Sequence, residues 1–323
     1  MGSGPYSLEE YSSTEGTYRL VANEGYWRGA PLTNELRFLN IPAEALIPAT
    51  QQGDVDVTSS TDASVLKIVA DDERLRVHES APLSIARLAV NTSREPLDRK
   101  EVRQAIAYAI DRELLAESIT RGPALVGSAG VVPRETPWFN PNLTQYEYDP
   151  DRARDLLGGE RFSVDLVVDA SARDPDIIAP MLEAVGITLN VQRVDPATRI
   201  QLLRDGDFDL GFLTHIGVGG DPDYLRRWYS GEETNEFAQG SMFEHAEYTR
   251  LADEQSTTLD VEQRKEIVFE MQEILAEELP TIVLYHRRFY WLHDPELFTP
   301  METWGGLLNG IPFPHNKLAL IAT

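Results

Sequence analysis

Few stretches restrict the fold of this chain as tightly as Pro96-Leu97-Asp98-Arg99-Lys100-Glu101-Val102-Arg103-Gln104-Ala105-Ile106-Ala107-Tyr108-Ala109-Ile110-Asp111-Arg112. Pro96 has a fixed φ, and Asp98 offers a carboxylate to the orphan N–H groups of a helix start. Val102, Ile106 and Ile110, with Ala105 and Ala109, form an apolar stripe at helical spacing, which predicts a helix over 98–119. Just before it, Ala86, Leu88 and Val90 alternate within Ile85–Asn91, the pattern of a strand with one face on a core. A strand feeding an amphipathic helix is half of a layered fold.

The following residues repeat that pattern. After a Gly/Pro-rich passage over 122–142, read as an extended loop, Asp149 and Pro150 open a short helix that Gly158-Gly159 stops. A strand over 162–168, a helix over 177–185 and a strand over 187–194 give a β–α–β rhythm, and with it an α/β layer fold. A helix over 198–204 and a strand over 208–213 lead into the loop Gly217-Val218-Gly219-Gly220-Asp221-Pro222-Asp223. A helix over 224–229, an amphipathic helix over 261–278 and a strand over 282–285 complete the series. The first 80 residues read as strands over 18–22, 35–39 and 55–57, with one helix over 43–52 ended by Gly53.

Charge excludes several classes of partner. The 323 residues carry 53 acidic and 29 basic side chains, a net charge of -24, so nucleic acid and anionic membranes lack the basic footprint they require. The acidic residues are spread along the chain, which favours a solvated surface suited to high salt over a cation site. Only Lys67, Lys100, Lys265 and Lys317 are lysines, and together with the acidity this points to a salt-loving source. There is no cysteine, hence neither a disulfide framework nor a thiolate site. No apolar run is long enough to span a bilayer, and Met1-Gly2-Ser3-Gly4 leads into Pro5-Tyr6 without an apolar leader.

Catalytic motifs are missing from the sequence. Gly127-Ser128-Ala129-Gly130 lacks the spacing of a nucleophile elbow, and no phosphate-cradling glycine motif occurs. Asp221 and Asp223 flank Pro222, and two roles compete: an acid/base pair, or a turn followed by a helix cap, the reading preferred here. The histidines are scattered, which argues against a metal site at His215, and no cofactor is implied. Tyr224, Trp228 and Tyr229 read as core aromatics.

Taken together, several short motifs resemble those of the solute-binding proteins of oligopeptide, dipeptide and nickel ABC importers, family 5. Pro96-Leu97-Asp98 through Asp111-Arg112 is similar to that family's PLDDxxVRQAxxYAIDR signature. Gly2–Tyr6 resembles GTGPY, Tyr26-Trp27-Arg28-Gly29 YWxG, Gly53–Asp56 GExD, Tyr148–Leu157 YDPxxAxxLL, and Gly220–Asp223 GDPD. The resemblance implies a periplasmic-binding-protein-like type II α/β fold with two lobes. Lobe I would be partial, formed by residues 1–85 and 287–323, and lobe II complete, over 86–286, because the family carries a long segment ahead of GTGPY. It further implies a non-enzymatic, monomeric, extracytoplasmic binder. Such a binder captures a peptide-like small molecule by hinge closure, delivers it to permease subunits and is lipid-anchored in its full-length form. A nickel chelate, an oligosaccharide, or a sensing role in a regulator are the alternatives, and a chain lacking most of one lobe would bind weakly or not at all.

The site residues follow from the same resemblance. Arg173, in Ala170–Pro175, falls where the family holds a ligand carboxylate, a role suited to a guanidinium fork; otherwise it pairs with Asp174 or Asp176. The aspartate that takes a ligand ammonium falls on Val218, which cannot do so. His215 stands at an aromatic position, either packed at a strand end or donating a hydrogen bond from the pocket wall. Gly217 and Asp221 complete the expected ligand-binding set.

Overall fold

The computed structural model describes residues 3–82, 84–122, 125–216, 218, 220–230 and 242–297. The chain divides into two compact units, Met1–Ala81 with Arg288–Thr323, and Pro82–Arg287. In the first unit β1 (Tyr6–Ser12), β2 (Thr17–Ala22) and β3 (Glu35–Phe38) form an antiparallel sheet in that order. Tyr18 and Phe38 are cross-strand partners, stacked at 4.3 Å beside Leu20 and Leu36. The same unit holds α1 (Ala43–Gln52), β4 (Val57–Ser60), α2 (Val65–Ile68) and β5 (Arg76–Glu79). Gly53 ends α1 at φ 85°, a conformation that costs glycine nothing.

The second unit is built on one sheet. Its elements are β6 (Ser84–Val90), α3 (Lys100–Ala109), α4 (Arg112–Thr120), α5 (Pro150–Leu157), β7 (Phe162–Asp169), α6 (Asp174–Glu183) and β8 (Ile187–Val194). They continue as α7 (Pro196–Asp205), β9 (Leu210–Ile216), α8 (Tyr224–Tyr229), α9 (Ala246–Thr257), α10 (Val261–Glu278) and β10 (Thr281–Arg287). The strand order is β10-β6-β9-β7-β8. Strands β7, β8 and β9 are parallel, and β6 runs antiparallel to both β9 and β10. The carboxyl ends of β7, β8, β9 and β10 therefore share one end of the sheet. After this unit the chain returns to the first one, where β11 (Tyr290–His293) pairs between β4 and β5.

Both faces of the large sheet are covered. Ala86, Leu88 and Val90 of β6 pack with Val102, Ile106 and Ile110 on one side. Ile85 packs on the other side with Tyr224, Leu225 and Trp228, and Ala89 with Leu203. Gly211 permits the approach of α7, since a Cβ there would stand 2.4 Å from the Leu203 side chain. Every residue of β6 is buried, so the strand's second face meets protein and not water.

The expected helix over 98–119 is two helices. Ile110 leaves the helical region at ψ 116°, and the Asp111 side chain accepts from Leu114 N to start α4. A good internal N-cap thus outweighs the continuous apolar stripe. Asp98 is not the cap of α3. Arg99 takes that position with no side-chain hydrogen bond, and Arg103 instead secures the turn by donating to the carbonyls of Leu97 and Asp98. Likewise the strands expected at 55–57 and 208–213 lie at 57–60 and 210–216, and α6 starts at Asp174.

Candidate ligand-binding site

Ligands of open α/β sheets bind beyond the carboxyl ends of the strands. Here that end brings together the segments that sequence reading separated by more than forty residues. Arg173 follows β7 and holds the N-cap position of α6, while His215 lies near the end of β9, a direct neighbour of β7. Val218 and Asp221 continue from β9; Gly217 lies outside the described residues.

Arg173 is exposed, and among the described residues no hydrogen bond or ion pair engages it. The two acids expected to compete for it are committed elsewhere. Asp174 is buried and accepts a 2.6 Å hydrogen bond from the Tyr285 hydroxyl, and Asp176 pairs with Arg193 at 2.9 Å. Burial raises the Asp174 carboxyl above its ordinary range, against the Tyr285 hydrogen bond and the nearby charges of Arg287 and Arg173.

His215 is half-buried over an unusual support. Arg87, wholly buried in β6, places one guanidinium nitrogen 3.2 Å from His215 Nε2 and another 3.2 Å from the Thr281 hydroxyl. The Trp228 ring packs against both, 4.4 Å from the imidazole centroid and 5.0 Å from the guanidinium carbon. Desolvation first, then Arg87 and Arg199, push the His215 pKa well below its usual value, so the ring is neutral at pH 7. Arg199 donates to the Phe212 carbonyl and pairs with Asp169 at 3.2 Å, so this carboxylate too is occupied.

The loop after β9 is anchored from below. Val218 is buried among Ile85, Tyr224 and Trp228. Asp221 receives both guanidinium nitrogens of Arg264, at 2.7 and 2.8 Å, and also accepts from Asp223 N. That fork fastens the loop to α10 and holds the Asp221 carboxyl below its usual range. Asp223 does not cap α8 with its side chain; its carboxylate takes Arg226 at 2.7 Å and Gln255 at 3.0 Å. Tyr224, Trp228 and Tyr229 are core residues.

Sequence reasoning missed Arg87 and Arg199, the two arginines beside His215. The available signal was a single charged residue inside an otherwise apolar strand. A cavity of about 760 Å³ lies in the same unit, lined by Asp111, Arg112, Arg134, Glu135, Tyr148 and His286, but neither Arg173 nor His215 lines it. Among the described residues no group of three acids or histidines could hold a metal ion.

This combination of sheet, helices and site belongs to a known class. Residues 1–237 match the profile of the bacterial extracellular solute-binding proteins, family 5 Middle, and the chain belongs to that family. It is similar to the heme-binding protein A of Haemophilus influenzae, 26% identical over 88% of this chain and 54% of that protein. It is also similar to the peptide transport periplasmic protein SapA of Salmonella typhimurium, 28% identical over 88% of this chain and 54% of that one. The chain thus spans about half the length of the curated relatives it matches. The fold is that of type II periplasmic binding proteins. The periplasmic binding protein DppA of Helicobacter pylori, solved with the peptide STSA, superposes with a TM-score of 0.85 at 20% identity. That match covers 95% of this chain and 62% of the other.

Proposed function

We propose that this chain carries the ligand-capturing lobe, lobe II, of an extracytoplasmic solute-binding protein that serves ABC-importer permease subunits and takes a peptide-like small molecule. The observation that carries this reading is the position of Arg173 just beyond β7 and of His215 near the end of β9, two adjacent parallel strands of the five-stranded sheet. Arg173 supplies a guanidinium that no described carboxylate engages for a ligand carboxylate, His215 a polar wall, and the Arg264–Asp221 fork an anchor ahead of α8. The relatives' ligands, heme and peptides by name, support a small organic solute with acidic groups. Partners are the permease subunits and no nucleic acid, and the acidic surface suits a salt-rich exterior.

The test is an NMR titration of the ¹⁵N-labelled chain with the dipeptide Ala-Ala to millimolar concentration, a method that also registers weak binding. Saturable shifts confined to residues 169–175 and 214–221 are expected, and they should vanish in Arg173→Met. Shifts elsewhere, or none, would refute the reading.

A further inference from the structure

We propose that His215 is a specificity-determining hydrogen-bond donor of this site, and that Arg87 is the positioning residue that makes it one. Arginine has donors only, so a hydrogen bond between its guanidinium and His215 Nε2 requires Nε2 to accept with its lone pair. In a neutral imidazole the proton then resides on Nδ1. No described group bonds to Nδ1, and the atom keeps access to solvent. Arg87 is itself oriented by Thr281, whose hydroxyl passes its own hydrogen to the Leu88 carbonyl, and by the Trp228 ring above it. The imidazole is thereby held by Arg87 and the Trp228 ring in one tautomer.

The consequence is a choice of ligand group, and it rests on the solute-binding reading above. The end of the sheet offers the His215 Nδ1–H donor and, beyond the neighbouring strand β7, the exposed Arg173 guanidinium. Among the described residues, the carboxylates of these segments, Asp169, Asp174, Asp176 and Asp221, are engaged by Arg199, Tyr285, Arg193 and Arg264, and Val218 presents only buried methyl groups. An ammonium group placed there meets donors and cations. A carboxylate or carbonyl oxygen meets complementary groups. The geometry points to a solute recognised by acceptor oxygens, with no requirement for a free amine. The neutrality of His215, enforced by burial and the neighbouring arginines, keeps it a donor through one nitrogen only.

Long-range ¹H–¹⁵N spectra of the chain labelled at histidine test the positioning role, with the His215 signals assigned by their loss in His215→Phe. The expected pattern at pH 7 is a protonated Nδ1 and an unprotonated Nε2. Arg87→Met should release the ring towards the Nε2–H tautomer, and Arg87→Lys, which still donates, should retain the original one. An Nε2–H tautomer in the unsubstituted chain overturns the proposal, whatever the variants do. Titrations with Ala-Ala, N-acetyl-Ala-Ala and Ala-Ala-amide test the ligand choice. N-acetylation should change affinity by no more than about threefold, and loss of the carboxylate should weaken it about tenfold, the scale of one good hydrogen bond. His215→Phe should weaken N-acetyl-Ala-Ala binding about tenfold, and His215→Gln, which keeps a donor, should largely restore it. Abolition of binding by N-acetylation overturns the ligand choice while leaving the solute-binding reading in place. Failure of all three probes with the expected tautomer refutes the peptide-like reading, and the assignment of an acceptor oxygen with it.

Discussion

Buried arginines serve opposite purposes in two regions of the second unit. In the α3–α4 region, Arg103 donates to the carbonyls of Leu97, Asp98 and Glu278 and pairs with the Glu278 carboxylate at 2.9 Å. Arg112 donates to the carbonyls of Gly127, Val283 and Tyr146. Both satisfy backbone carbonyls in loops and at the ends and edges of elements, which is a structural task. At the carboxyl end of the sheet, Arg87 bonds a hydroxyl and an imidazole, and the imidazole faces outward. The strongest sequence signature therefore marks a staple, and the site chemistry lies where the sequence signal is faint.

That contrast can be broken by experiment. The largest effect is expected from Arg112→Ala, which leaves three buried carbonyls without donors and a cavity; urea unfolding should show a loss of about 3–5 kcal/mol. Arg87→Met should instead change the His215 tautomer, which Arg112→Ala should leave in place, and the same change in both variants would erase the distinction.

A second effect of similar size concerns pH. His286 is buried, and desolvation lowers its pKa from 6.5 to about 4. The unfolded chain therefore takes up the proton first as pH falls, so this residue's contribution is complete above pH 6.5 and lost towards pH 4. Stability should drop by about 3 kcal/mol across that window, and His286→Phe should flatten the profile by that amount relative to the parent. An unchanged slope would show that the ring is not buried neutral.

Smaller still is the loop anchor. Arg264→Met removes the fork on Asp221, a carboxylate more than half exposed, and should cost about 1 kcal/mol. Faster amide exchange at 220–223 with little change in the unfolding midpoint would fit this role. The smallest effect belongs to His215→Gln, expected to leave stability within about 0.5 kcal/mol, because the ring is only half-buried and bonds to one partner. A large loss there would turn His215 into a core residue and remove it from the site.

The alternation of apolar residues, the cap at Asp149 and the stop signal at Gly158 are local, and they made most of the second unit legible. Helix α9 was not read, because its apolar residues Tyr248, Leu251 and Ala252 are few and its surroundings polar. The break between α3 and α4 escaped notice because the stripe continues through Ile110 while the competing cap at Asp111 lies inside it. In the site, Arg173 and the 215–221 loop were reached through family resemblance, whereas Arg87 was hidden by period-two reasoning. Alternation assigns it to a face away from Ala86 and Leu88, and a strand's second face is solvated only in sheets covered on one side.

The sequence by itself determined the α/β rhythm, the absence of cysteine, the net charge of -24 and the family. These depend on composition and on contacts within a few residues. Only the tertiary structure decided that β7 and β9 are neighbours and that Asp174 and Asp176 turn away from Arg173. It alone placed an arginine in β6 beneath a histidine in β9. Such pairings are set by sheet order and by which faces the helices cover, and the Arg87–His215 pair joins residues more than a hundred positions apart in the chain.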